Sequence, residues 1–239
     1  MSVLILGLCG LAVTLPGVAR QLLPREFTAA QQRRIEAWET ARRWRALPEG
    51  TIFPATVSYS LPGFALNGNR GLKLRAHRLG VVPGTRCRRG ATSAAARILD
   101  RYGCTAVLRA TYIDSTGSLV ATVGVAVLTD AADATAAVTK LTGAGPKGLP
   151  GTVRAAAVSR TLAARFDDAQ RQLSWNTHAG PYVILTTVGF SDGRPRVHVS
   201  ADSYMSNEMG SLGQGLAQAV GAVLGQPPAK PTCPGAPGC

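Results

Sequence analysis

The sequence has few of the residues on which enzyme chemistry most often depends. It holds three histidines, each alone in its local sequence, and its five cysteines include no C-x-x-C pair and no Cys/His spacing typical of zinc. Aromatic residues make up 5% of the chain, and lysine is rare beside arginine. We therefore predict no catalytic residue, no metal and no cofactor.

Charged side chains are also absent from the first 19 residues, and Arg20 is the first of many arginines. At about 1.5 Å per helical residue the run would span roughly 28 Å, close to the hydrocarbon thickness of a bilayer. We interpret residues 1–19 as a membrane anchor. A cleaved signal, with a small-residue site at Gly17-Val18-Ala19, and a buried helix are the alternatives.

Two observations disagree about the side of the membrane on which the body lies. The positive-inside rule places it in the cytoplasm, because the flanking arginines all follow the apolar run: Arg20, Arg25, Arg33, Arg34, Arg42, Arg43 and Arg45. The cysteines favour an oxidising, exported compartment. We give the cysteines more weight and expect a single-pass cell-membrane protein with an extracytoplasmic body.

Cys87 and Cys104 flank a predicted helix, TSAAARILDRYG. The return of the chain into a strand would bring the two residues together, so we predict a disulfide, with two free buried thiols as the alternative. Cys233 and Cys239 bracket PGAPG in a proline-rich tail. For this tail we expect disorder rather than a short-loop disulfide.

Positive charge is concentrated in the first half of the chain. From Arg20 to Arg101 there are 16 basic and 5 acidic residues, and from Tyr102 onward 10 and 8. Such a surface would be attracted to the membrane, to anionic lipid or to an acidic cell-wall polymer. Nucleic acid is a weaker candidate, because no interleaved aromatics or known module accompany the arginines. Solvated arginines without a dedicated partner are the alternative.

The residue pattern predicts a series of helices and strands. A helix capped by Thr28 ends near Pro48, and Pro54 confines the strand in TIFPATVSYSL to an edge or bend. We then expect a strand in LKLRAHRLGVV, a helix from Thr92 to Tyr102, a hairpin of CTAVLRATYID and SLVATVGVAVL, and a helix in DAADATAAVTKL. A strand from Thr152 to Val158, a second hairpin of PYVILTTVGF and PRVHVS, and a helix from Tyr204 to Leu224 complete the series.

This order predicts an α+β fold. We expect a ferredoxin-like split βαβ antiparallel sheet with an added hairpin and a C-terminal helix, preceded by an N-terminal membrane helix. The predicted divisions are 1–19 (anchor or signal), 20–50 (juxtamembrane helix), 51–225 (α+β domain) and 226–239 (disordered tail).

Three local patterns suggest chemistry only superficially. GFSDG has the G-x-S-x-G spacing of hydrolases, but it lies in a predicted hairpin turn, so a triad of Ser191, Asp192 and His198 has no support. The pair Asp167-Asp168 stands among arginines, which indicates a charged turn rather than an acid/base pair. The glycines after Met209 fit no phosphate-loop spacing and favour tight helix packing.

The segments REFTAAQQRRIEAWETARRWRALPEGTIFPA and YGCTAVLRATYIDSTGSLVATVGVAVL resemble a group of actinobacterial, Streptomyces-type proteins that are membrane-anchored or secreted and have no assigned activity. The cysteine-flanked helix and following sheet are more faintly similar to extracytoplasmic sensor domains of receptor kinases. The resemblance contains no catalytic motif, so it implies no functional residue.

The leading hypothesis is therefore a membrane-tethered extracytoplasmic binding or interaction domain without catalytic activity. It would bind through its sheet face or beside the loop from Gly143 to Gly151. The alternatives are an envelope-polymer hydrolase using Ser191 or His198, and a cytoplasmic-facing nucleic-acid-binding protein.

Overall fold

The computed structural model describes residues 25–61, 71–142, 149, 151–200, 203–226 and 232–233. These residues belong to two units. The described residues of the first unit are 25–40 and 232–233, and the second unit runs from Ala41 to Gln226. The predicted anchor, residues 1–19, lies outside the described residues, as does most of the predicted tail. Among the helices that are described, none combines the length and apolarity needed to cross a membrane.

The first unit contains a short antiparallel pairing and the start of a long helix. Arg25–Glu26 pairs with Thr232–Cys233. Helix α1, Ala29–Ala46, begins here and continues into the second unit. Thr28 caps it as predicted: the Thr28 Oγ1 accepts from the Gln31 N–H at 3.3 Å, and the Thr28 N–H donates to Gln31 Oε1 at 3.0 Å. The two bonds form a reciprocal capping box, which satisfies two N–H groups at the start of the helix.

The second unit is built on a six-stranded, wholly antiparallel sheet in the order β1-β2-β3-β4-β6-β5. The strands are β1 Thr56–Leu61, β2 Leu72–Thr85, β3 Ala106–Asp114, β4 Leu119–Val127, β5 Arg171–Ala179 and β6 Tyr182–Phe190. Every residue of β4 is buried, as expected for a central strand covered on both faces. β1 is an edge strand, as the position of Pro54 predicts.

Helices cover both faces of this sheet. The remaining helices are α2 Glu49–Ile52, α3 Cys87–Gly90, α4 Ser93–Arg101, α5 Ala131–Thr142 and α6 Tyr204–Gly225. On the first face, α6 and the end of α2 pack on a core that includes Tyr112, Val123 and Ile184. On the second face, α3, α4 and α5 pack on Val107, Ala126 and Leu185. The mixed helix and sheet composition and the C-terminal helix agree with the predicted α+β class.

The ferredoxin-like strand order is wrong. A split βαβ unit would insert another strand between the two that a helix connects, but β2 and β3 pair directly and antiparallel, with Thr85 opposite Val107. The reason lies in the connection. Cys87 and Cys104 form a disulfide just outside that last pair, so the helical segment between them leaves and returns at the same end of the sheet.

The second predicted hairpin is also wrong. The strand before Ser191 is β6, and its hairpin partner is β5, which precedes it; the segment PRVHVS is irregular. The predicted strand from Thr152 to Val158 makes one isolated bridge, Ala91 with Val153, and otherwise crosses the second face.

Buried threonine hydroxyls hold this crossing segment on the sheet. The Thr111 hydroxyl donates to the Ala156 carbonyl at 2.7 Å, and the Ala156 N–H donates to Thr122 Oγ1 at 3.1 Å. The Thr152 hydroxyl also donates to the carbonyl of Thr186 in β6. The Thr111 and Thr122 side chains of the sheet thus satisfy the carbonyl and N–H of Ala156, which no strand pairing satisfies, as buried polar groups require.

Candidate functional site

The edge strand β1 presents a polar outer face. Its side chains alternate strictly, with Val57, Tyr59 and Leu61 buried. Thr56, Ser58 and Ser60 are exposed on the opposite side. This alternation follows from the two-residue period of a strand whose one face packs on a core. β1 therefore supplies a column of three hydroxyl groups.

A column of cationic and imidazole side chains lies beside these hydroxyls on β2. Lys73, Arg75 and His77 are exposed at alternate positions. The register pairs them with Ser60, Ser58 and Thr56, respectively. His77 Nδ1 is 3.4 Å from the Thr56 hydroxyl. Alternate residues of an antiparallel strand are about 6.8 Å apart, so the three side chains form an evenly spaced row. We call these two columns the β1–β2 face.

A concavity of about 600 Å³ opens along this face. The described residues that line it include two basic residues, three serines and no carboxylate: Ser58, Tyr59, Ser60, Lys73, Leu74, Arg75 and Ser115. A second groove, of about 190 Å³, lies between β1 and α6, and its lining includes Ser58 and Ser60 of the strand and Ser211, Gln214 and Gln218 of the helix. Of these two concavities, only the first has cationic side chains among the described residues that line it.

Acidic groups lie on the buried side of the same strands. Glu208 of α6 is 5% exposed, and its pKa is raised by burial and by the neighbouring Asp114, although a hydrogen bond with Tyr204 opposes this. Asp114 is tied into the β3–β4 turn, where it accepts from the N–H groups of Thr116 and Leu119. Burial, together with these two carboxyl groups, raises the pKa of the Tyr59 phenol. The acids belong to the core, which leaves the exposed face basic.

The structure brings together the two cysteines that the sequence predicts as a disulfide, and it gives one residue of the Asp167-Asp168 pair a role that was not predicted. The Cys87–Cys104 disulfide is present. Asp167 is exposed, but Asp168 forms ion pairs with Arg154 and Arg171 at 2.8 and 3.3 Å, so it is more than part of a solvated turn.

The candidate catalytic and metal-binding residues do not form a site. The Ser191 hydroxyl donates to the carbonyl of Gly117, which uses its proton in a turn contact rather than in a bond to His198. His77, His178 and His198 lie on β2, on β5 and in the irregular segment after β6. In the described ranges, no three acidic, histidine or cysteine side chains come together as a metal site.

The β1–β2 face was not predicted, because the strand prediction for LKLRAHRLGVV rests on its apolar positions. The complementary positions read Lys73, Arg75 and His77, and this alternation was a usable signal. The sheet face over the central strands is covered by helices, and the predicted cleft beside Gly143 lies mainly outside the described residues.

The chain was compared with protein-family models, with curated proteins and with solved structures. None of the three comparisons gave a match.

Proposed function

We propose that the chain is a membrane-tethered extracytoplasmic binding domain without catalytic activity, and that it binds a linear anionic polymer of the cell envelope through the β1–β2 face. The observation that carries this proposal is the row of Lys73, Arg75 and His77 beside the hydroxyls of Ser58 and Ser60. Cationic side chains attract phosphate or carboxylate groups, and hydroxyls donate hydrogen bonds to their oxygens.

The linear shape of the ligand is inferred from the spacing of the row. Three alternate positions extend over about 14 Å of strand, so successive side chains meet successive charges of an extended chain. The concavity runs along the two strands, and none of the described residues that line it is a carboxylate. A repeating anion can therefore follow it without like-charge repulsion from these residues. A polymer with one phosphate or carboxylate in each repeat fits these requirements.

The disulfide and the charge distribution support the proposed location. Disulfides persist mainly in exported proteins, and the basic excess in the first half of the chain favours an anionic surface nearby. The resemblance to membrane-anchored or secreted actinobacterial proteins belongs to the same proposal.

Binding of polyphosphate to the full-length chain tests whether the β1–β2 face takes a linear polyanion. Polyphosphate serves as a linear polyanion of known chemistry, and titration calorimetry at several salt concentrations gives its affinity. We expect the double substitution Lys73→Glu and Arg75→Glu to weaken binding at least tenfold. The dependence of affinity on salt should become shallower, since fewer counterions are released.

The control is Arg97→Glu with Arg101→Glu on α4, which changes the net charge by the same amount at a different surface. An equal loss of affinity in this control would contradict a local site. Binding to phosphatidylglycerol vesicles but not to polyphosphate would indicate a lipid surface instead of a polymer.

The location requires a separate measurement. Two C-terminal reporter fusions, one active only outside the cell and one only inside, together with thiol titration of Cys87 and Cys104, should give an external reporter signal and no free thiols. Internal reporter activity with free thiols would overturn the proposed location and favour the nucleic-acid-binding alternative.

A further inference from the structure

A cluster of arginines surrounds a single carboxylate on the second face of the sheet. It consists of Arg109, Arg154, Arg171 and Arg196 with Asp168, and we call it the arginine cluster. Arg109 projects from β3 and Arg171 from the start of β5, while Arg154 lies in the crossing segment. Asp168 and Arg154 act electrostatically on both Arg109 and Arg171, and Arg196 acts on Arg171. Positive charge therefore exceeds negative charge in the cluster.

The Asp168 carboxylate already has three donors. Its Oδ2 accepts from Arg154 Nη1 at 2.8 Å. Its Oδ1 accepts from the Ala155 N–H at 3.0 Å and lies 3.3 Å from Arg171 Nε. The carboxylate thus holds the crossing segment in place and binds one side of the Arg154 and Arg171 guanidinium groups.

Two buried nitrogens of the cluster lack a hydrogen-bond partner among the residues that the structure describes. They are Nη1 of Arg171, a side chain whose residue is only 8% exposed, and Nε of Arg109. Burial lowers the pKa of both guanidinium groups, Asp168 opposes this effect and Arg154 adds to it. Arginine nevertheless stays charged in proteins, and a buried N–H donor without an acceptor is costly. A further acceptor at this place would satisfy both donors.

We propose that the arginine cluster is a second binding site, which holds one small oxyanion, a phosphate or a carboxylate, against Arg109 and Arg171. The planar guanidinium group presents paired N–H donors that match the oxygens of either anion. The buried surroundings strengthen such contacts relative to those on the β1–β2 face. This site does not depend on the proposed polymer-binding function.

The test measures binding of inorganic phosphate, and of acetate as the carboxylate arm, to the full-length protein at constant ionic strength, with chloride as the reference. We expect at least one of the two oxyanions to bind and to raise the unfolding midpoint, because a ligand of the folded state stabilises it. Arg109→Gln should weaken that binding at least tenfold, whereas Arg101→Gln on the exposed end of α4 should leave it unchanged.

A second variant keeps the test decisive if Arg109→Gln does not fold. Asp168→Asn removes the competing negative charge while its side-chain oxygen can still accept from Ala155, so oxyanion affinity should increase. Lys73→Glu with Arg75→Glu should leave it unchanged, which separates this site from the β1–β2 face. Absence of both phosphate and acetate binding to the unsubstituted protein, or equal affinity in a folded Arg109→Gln protein, would overturn the proposal.

Discussion

Gly215 of α6 lies directly against Tyr59 of β1. A Cβ atom on Gly215 would be 2.5 Å from the Cβ of Tyr59, closer than two carbon atoms can approach without a shift. The absence of a side chain at this position therefore sets how closely the C-terminal helix packs on the edge strand. The same helix contains Gly210, where an added Cβ would have no atom within 4 Å.

Substitution of these two glycines should have opposite effects. Gly215→Ala should lower the free energy of unfolding by about 1–3 kcal/mol, because the overpacked contact outweighs the better helix propensity of alanine. Gly210→Ala should raise it by up to about 1 kcal/mol. Urea unfolding of both variants measures the difference. Equal stabilisation by the two substitutions would contradict the close packing.

Glu208 should make stability depend on pH. Because its pKa is raised in the folded state, the folded protein binds more protons than the unfolded chain between the ordinary value of 4.5 and the higher folded value. The free energy of unfolding should therefore fall as pH rises through that window. Glu208→Gln should remove this fall and be the more stable protein at neutral pH. Thermal unfolding from pH 4 to pH 8 tests this, with the exposed Glu49→Gln as the control; the same pH profile in both proteins would contradict it.

The buried hydroxyl of Thr122 should contribute measurably to the free energy of unfolding. Thr122→Val leaves the Ala156 N–H without its acceptor, and a buried unsatisfied donor costs about 1–3 kcal/mol. Thr135→Val on the exposed side of α5 is the control, and it should change stability by less than about 0.5 kcal/mol. Denaturant unfolding compares them. Faster exchange of the Ala156 amide hydrogen in the variant would confirm the cause.

Reduction of the disulfide should destabilise the second unit. The two cysteines are 17 residues apart, and closing a loop of this length contributes roughly 3 kcal/mol in the chain-entropy model. We expect the double substitution Cys87→Ser with Cys104→Ser to lower the free energy of unfolding by about that amount. An unfolding midpoint that does not respond to reductant, in a protein without free thiols beforehand, would contradict the expected contribution.

Much of the fold was predictable where one face of an element is apolar and the other polar. The apolar run of β4 correctly predicted a central strand, Pro54 indicated the edge position of β1, and Thr28 marked the start of α1. β5 was missed because its inward positions are partly polar: Asn176 binds the crossing segment through the carbonyl of Gly151, and Arg171 joins Asp168. Such a strand lacks the apolar alternation on which the prediction depends.

The candidate sites were harder to predict than the elements, because they depend on pairing between strands. Arg75 lies beside Ser58 only once the β1–β2 register is known, and Asp168 meets Arg154 only through the crossing segment. The strand order failed for a related reason. The predicted disulfide already implies that β2 and β3 meet at one end, whereas the ferredoxin-like arrangement separates two strands that a helix joins.

The position of the disulfide also determines what happens when a protease cleaves the chain between the two cysteines. A protease that cleaves the exposed turn or helix ends between Cys87 and Cys104 would leave both fragments covalently joined beside the last pair of β2 and β3. The strands would stay in register, and the nicked molecule would keep its central sheet. Damage to the helical segment is thereby confined to that segment.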